Sequence, residues 1–115
     1  GHQMGDQVLT RVGKTLSDML QRSDDMCFRL GGEEFGILFK PLSEEKGFEF
    51  ADILRQNIEK LGIEHAHNSA SSVVTVSMGI IVNEATDSVS YELIYKRADD
   101  LLYLAKNEGR NRVGY

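Results

Sequence analysis

Between residues 26 and 39 the sequence reads MCFRLGGEEFGILF, and its period limits the fold more than any other stretch does. Met26, Phe28 and Leu30 alternate with Cys27 and Arg29, and Phe35, Ile37 and Phe39 alternate again beyond a pair of glycines. Successive strand side chains point to opposite faces, so two such runs around a glycine-rich break predict a strand, a turn and a second strand. Pro41 marks the end of the second strand, where its missing N–H interrupts no ladder. A lone hairpin is marginal in water, so the flanking sequence must supply a surface for it to pack on.

The flanks change period. After Asp6, Val8, Leu9, Val12, Leu16, Met19 and Leu20 recur at helical spacing and predict a first helix that ends near Gln21. Ala51, Leu54, Ile58 and Leu61 mark a second helix, with Gly62 placed to cap its C-terminus. The run SVVTVSMGIIV returns to strand character and, if regular, sets Val74, Val76, Met78, Ile80 and Val82 on one face; Gly79 permits a bend or close packing. A last helix spans about Ser90 to Asn107 on Ile94, Ala98, Leu101, Leu102 and Ala105, Gly109 breaks it, and Arg112 to Tyr115 can add a short strand. These elements predict one α+β domain over residues 1–115, with a mainly antiparallel sheet flanked by helices.

Length and charge narrow the partners. A chain of 115 residues suits one compact domain. Eighteen acidic against thirteen basic residues leave a formal charge of −5, which opposes general attraction to DNA or RNA, so neither is expected as a partner. A nucleotide is compatible, because a local field of metal and cations outweighs the global sum. Cys27 is the one cysteine, so an intrachain disulfide is excluded; its ordinary role is a small apolar side chain. No run reaches the length of a membrane-spanning helix. His65 and His67 in EHAHNSASS lack the donor spacing of a metal site and read as loop residues. There is no P-loop, no GxGxxG and no zinc motif.

The chemistry-bearing residues allow two readings each. Glu33 and Glu34 are either a polar turn or a carboxylate site in which Glu33 binds a hard cation such as Mg²⁺ and Glu34 supports it. Asp6 either caps the first helix or accepts hydrogen bonds from a guanine base. Lys106 and Arg110, in AKNEGRN, are either solvated terminal charges or donors to phosphate oxygens.

Taken together, GHQMGD, RSDD, RLGGEEF, VTVSMGI and RADDLLYLAKNEGRNRV occur in the order and approximate spacing of one family. Over residues 1–113 the chain resembles the GGDEF diguanylate cyclases, with glutamate at position 33 as an accepted version of the central motif. The resemblance implies a nucleotide-cyclase-like fold in which two GTP are joined into cyclic di-GMP with release of two pyrophosphates, each of two facing domains presenting one GTP. It implies that Glu33 is a ligand for Mg²⁺ or Mn²⁺ and Glu34 its acidic partner. Gly31 and Gly32 would admit the nucleotide, Asp6 would recognise guanine, and Lys106 and Arg110 would contact phosphate. Arg29 would support phosphate charge, although a structural ion pair fits it equally well.

Arg22 and Asp25 resemble the family's RxxD product-inhibition motif, against the reading of a charged loop; Arg55 does not align with the arginine that completes such a site. The family also carries an initial strand with a metal-binding aspartate and an FKxxND segment, both ahead of the motif that here is GHQMGD. Neither occurs in these residues, so the expectation is a truncated GGDEF domain with impaired turnover. The parent protein is expected to be cytoplasmic or membrane-anchored, homodimeric in catalysis and fused to a sensory or regulatory domain. The alternatives are a noncatalytic GGDEF-like module that binds GTP or cyclic di-GMP, and a purely structural dimerisation module.

Overall fold

The computed structural model describes residues 5–23, 25–31, 34–64, 73–83 and 90–115. Helix α1, Asp6–Met19, buries Leu9, Val12 and Leu16 along one stripe, as the spacing predicts. Its N-cap is Gly5 and receives no side-chain hydrogen bond, so Asp6 does not cap the helix. Asp6 is instead the first helical residue, where its charge opposes the positive end of the helix dipole. The helix closes two residues short of Gln21, because the Leu20 N–H turns back to the Ser17 carbonyl at 3.1 Å and Gln21 Nε2 donates to the Asp18 carbonyl at 2.9 Å. Those bonds satisfy carbonyls that the helix leaves open.

Strands β1, Met26–Gly31, and β2, Glu34–Leu38, form the predicted antiparallel hairpin. Cys27 lies opposite Ile37 and Arg29 opposite Phe35, after which the register shifts so that Gly31 meets Glu34. A bulge of this kind leaves one residue unpaired and sharpens the twist at the tip. Cys27, Phe35 and Ile37 pack toward the core, while Met26, Phe28 and Leu38 remain exposed on the other face. The Phe35 ring reaches α1 at Gly13, where a Cβ would stand only 3.1 Å from Cε1.

Helix α2, Glu44–Lys60, starts with a side-chain cap, the Ser43 hydroxyl accepting the Lys46 N–H at 3.1 Å. Gly62 follows its end at φ +65°, as the cap reading predicts. The core is a cluster of Val12, Leu16, Leu54, Ile58 and Val74 between the two helices and the segment at 73–83.

That segment departs from the expected long regular strand. It makes an isolated antiparallel bridge, Val73 with Glu64, and a strand, β3, confined to Met78–Gly79. A strand needs a hydrogen-bonding neighbour, and β3 finds one in β4, Val113–Gly114, with parallel register. The Met78 N–H donates to the Arg112 carbonyl at 2.9 Å and the Ile80 N–H to the Gly114 carbonyl at 3.0 Å. The described strands thus comprise one antiparallel hairpin and one short parallel pair.

Helix α3, Tyr91–Asn107, is capped by Ser90, whose hydroxyl accepts the Leu93 N–H at 3.2 Å. It packs on β3 and β4 through two glycines. A Cβ on Gly79 would meet Ala98 O and, at 2.5 Å, Leu102 N; one on Gly114 would meet the Leu101 carbonyl. The stripe and cap identify the helix, and the glycines explain how close it lies to the strands.

Candidate functional site

The hairpin tip is built from local sequence. Alternation sets β1 and β2, and the bulge between Arg29 and Gly31 brings Gly31 opposite Glu34, which is exposed to solvent. Gly32 and Glu33, the centre of the predicted site, lie outside the described residues, as do His65 and His67. Among the described residues no three His, Cys, Asp or Glu side chains group as a cation site. Arg29 is exposed, on the strand position facing Phe35.

Asp6 is exposed at the start of α1, and its backbone carbonyl accepts the Thr10 hydroxyl at 2.9 Å. Lys106 is the basic residue in the last turn of α3. Arg110 follows in a left-handed run, Gly109 at φ +127°, Arg110 at +63° and Asn111 at +47°. The Arg110 N–H donates to the Ala105 carbonyl at 3.0 Å, closing the helix end. Lys106 and Arg110 are thus gathered on one helix terminus, with both side chains exposed.

Arg22 and Asp25 come together in a turn. The Asp25 carboxylate accepts the Arg22 N–H at 3.1 Å, the Asp25 N–H donates to the Arg22 carbonyl at 3.0 Å, and Arg22 Nη1 donates to the Lys40 carbonyl at 2.8 Å. Arg22 and Asp25 line a cleft of about 320 Å³ with Lys40, Lys46 and Phe50. Sequence reading passed over Lys40 and Lys46, although the pair frames Pro41 and the α2 cap. The cleft is cationic, with Asp25 its acidic member.

Arg55 lies elsewhere. Its side chain is 15% exposed, and the guanidinium donates through Nε to Asp52 at 2.7 Å and through Nη1 to the Asn111 side-chain carbonyl at 2.8 Å. Glu59 stands 3.5 Å from the same nitrogen and accepts the Asn111 side-chain amide at 2.9 Å. The Arg55 hydrogen bond holds the Asp52 carboxyl below its usual range, and the same bond raises Arg55. No sequence motif marked this network, because its ends are far apart along the chain.

The family described as diguanylate cyclase, GGDEF domain, matches residues 1–112. The chain is 36% identical over 113 residues to the probable diguanylate cyclase DgcT of Escherichia coli, covering 98% of this chain and 25% of that protein. It therefore spans about a quarter of the length of that curated relative. The crystal structure of the GGDEF domain of DgcB from Caulobacter crescentus in complex with c-di-GMP superposes with a TM-score of 0.77 at 26% identity, over 99% of this chain and 64% of that one. The active GGEEF domain of a diguanylate cyclase from Vibrio cholerae gives 0.73 at 32% identity, over 99% and 69%.

Proposed function

The chain belongs to the GGDEF diguanylate cyclase family, and on that premise we propose that its parent protein condenses two GTP into cyclic di-GMP. In each of two steps a 3′-hydroxyl gives up its proton and its oxygen attacks the α-phosphorus of the other nucleotide. A new P–O bond forms, the α–β bridging P–O bond breaks, and pyrophosphate leaves. Two domains, each holding one GTP, would face each other as a homodimer.

The observation that carries this reading is the bulged hairpin, in which Gly31 lies opposite Glu34, on a chain matched to the family over 112 of its 115 residues. Gly31 and Gly32 would let the backbone approach the nucleotide without a Cβ. Asp6, exposed at the start of α1, would accept the guanine N–H donors. Lys106 and Arg110 would bind phosphate oxygens, where charge-assisted donors are strongest, and Arg29 would add to that field. Glu33 would hold Mg²⁺ or Mn²⁺ together with ligands beyond the described residues, Glu34 supporting it; the ion supplies charge stabilisation on the phosphate. Positioning two nucleotides in line removes much of the entropic cost of attack. Arg22 and Asp25, in their cationic cleft, would bind the product in feedback inhibition.

Among the described residues no helix is long and apolar enough to cross a membrane. We place the domain in the cytoplasm, where GTP is supplied, on a parent that carries a sensory or regulatory domain. Mass spectrometry of GTP and Mg²⁺ incubations with this chain and with its parent tests the proposal. The parent is expected to make cyclic di-GMP. Absence of product from a folded, dimeric parent would sink the cyclase reading, and nucleotide binding without turnover would favour the regulatory module.

A further inference from the structure

Two consecutive residues other than glycine hold left-handed backbone just past α3, Arg110 at φ +63° and Asn111 at +47°. That conformation is uncommon for side-chain-bearing residues and persists where surrounding bonds impose it. The imposing bonds converge on Asn111. Its side-chain carbonyl accepts Arg55 Nη1 at 2.8 Å, its side-chain amide donates to Glu59 at 2.9 Å, and its backbone N–H donates to the Ser77 hydroxyl at 3.1 Å. Arg55 offers only donors and the Glu59 carboxylate only acceptors, so the amide fits one way round. The guanidinium is itself held from the other side by Asp52 at 2.7 Å.

We propose that Asp52, Arg55, Glu59 and Asn111 form a clasp that fixes the loop bearing Arg110 just past the helical turn that carries Lys106, making Arg55 a positioning residue for nucleotide phosphates rather than a phosphate contact. This rests on the reading that Lys106 and Arg110 bind phosphate. The fork of an arginine is needed, because one group must meet Asp52 through Nε and Asn111 through Nη1 at once. Without the clasp, Arg110 is released toward commoner backbone conformations, and its guanidinium leaves the place where a phosphate would find it. Arg55 is thereby removed from the Arg22 cleft and given a role at the other end of the domain.

The test uses Arg55→Ala, Asn111→Gly and the double variant. Glycine adopts left-handed backbone without steric cost, so Asn111→Gly removes the amide while sparing the turn, and it answers the question even if Arg55→Ala folds poorly. GTP and guanosine binding are measured by calorimetry, with circular dichroism and amide exchange in α1 as the fold control. GTP binding is expected to weaken about tenfold or more in each single variant, as misplacement of a contact group predicts, with guanosine binding unchanged. The double variant is expected to be no weaker than the worse single, since both act through one network. Unchanged GTP affinity, equal losses for GTP and guanosine, or additive losses would each overturn the clasp as a phosphate-positioning device. If the unmodified chain binds no GTP, the nucleotide-site reading fails. Exchange of the Arg110 and Asn111 amides then decides the clasp: faster exchange in Arg55→Ala with α1 unaffected supports it, and unchanged exchange overturns it.

Discussion

In the parent protein, Glu33→Ala is expected to lower cyclic di-GMP formation from GTP and Mg²⁺ by about 10²-fold or more, the scale on which loss of one charge-stabilising group acts. The folding midpoint is expected to stay nearly where it was. The two effects are expected to separate because the apolar core is built from other residues. Val12, Leu16, Leu54, Ile58 and Val74 make the core, and the hairpin is anchored to it by Cys27, Phe35 and Ile37. Glu34→Ala, at the exposed start of β2, is expected to lose less, since a supporting carboxylate acts through the ion's other ligands. Product assays paired with thermal melts check both. A melt that collapses with Glu33→Ala would assign that residue a structural role in the turn that the account denies.

Gly79→Ala is expected to be the most damaging small substitution in the fold. Its Cβ would meet backbone, Ala98 O and Leu102 N, rather than the far end of a side chain that could swing away. Helix α3 would have to lift from β3, taking with it the β3–β4 pairing that secures the C-terminus. Overpacking of this kind costs about 3 kcal/mol at the upper end of its usual range. For a domain of this size that corresponds to a fall of roughly 10–20 °C in Tm. Gly13→Ala provides the contrast, because there the new methyl meets only the Phe35 ring and helix propensity improves by about 1 kcal/mol. Differential scanning calorimetry of the two variants checks the ranking; a Gly79→Ala midpoint equal to that of Gly13→Ala would contradict the packing described for α3.

Much of the fold was legible because it depends on local period. The stripes of Leu9, Val12 and Leu16 and of Ala51, Leu54 and Ile58 set two helices, and the alternation around Gly31 set the hairpin. Gly62 and Gly109 marked helix ends correctly for the reason glycine is used there, positive φ. Asp6 illustrates the limit of local reading. A cap and a first-turn residue differ by one position, and Gly5 takes the cap.

What escaped the sequence is nonlocal. The parallel register of Met78 with Val113 joins residues 35 positions apart, and no spacing rule in either segment announces it. Regular character in the run at 73–82 predicted a longer strand than the described neighbours support. The clasp escaped for the same reason. Arg55 bonds across to Asn111, and a helical arginine reads as solvent-facing until its partner is placed. At the candidate site, the residue types suggested phosphate and cation chemistry, but the assignment of reaction and substrate came from the order of distant motifs. The geometry adds the bulge at Gly31 and the left-handed loop at Arg110.

The most direct test is to titrate the ¹⁵N-labelled chain with GTP and Mg²⁺ and follow its amide resonances. The shifts are expected to concentrate at Asp6, at Gly31 to Glu34 and at Lys106 to Arg110, three segments distant in sequence responding as one saturable site, with ATP much weaker. Shifts confined to the Arg22 and Lys46 cleft, or equal responses to GTP and ATP, would contradict a guanine-nucleotide site at the hairpin tip.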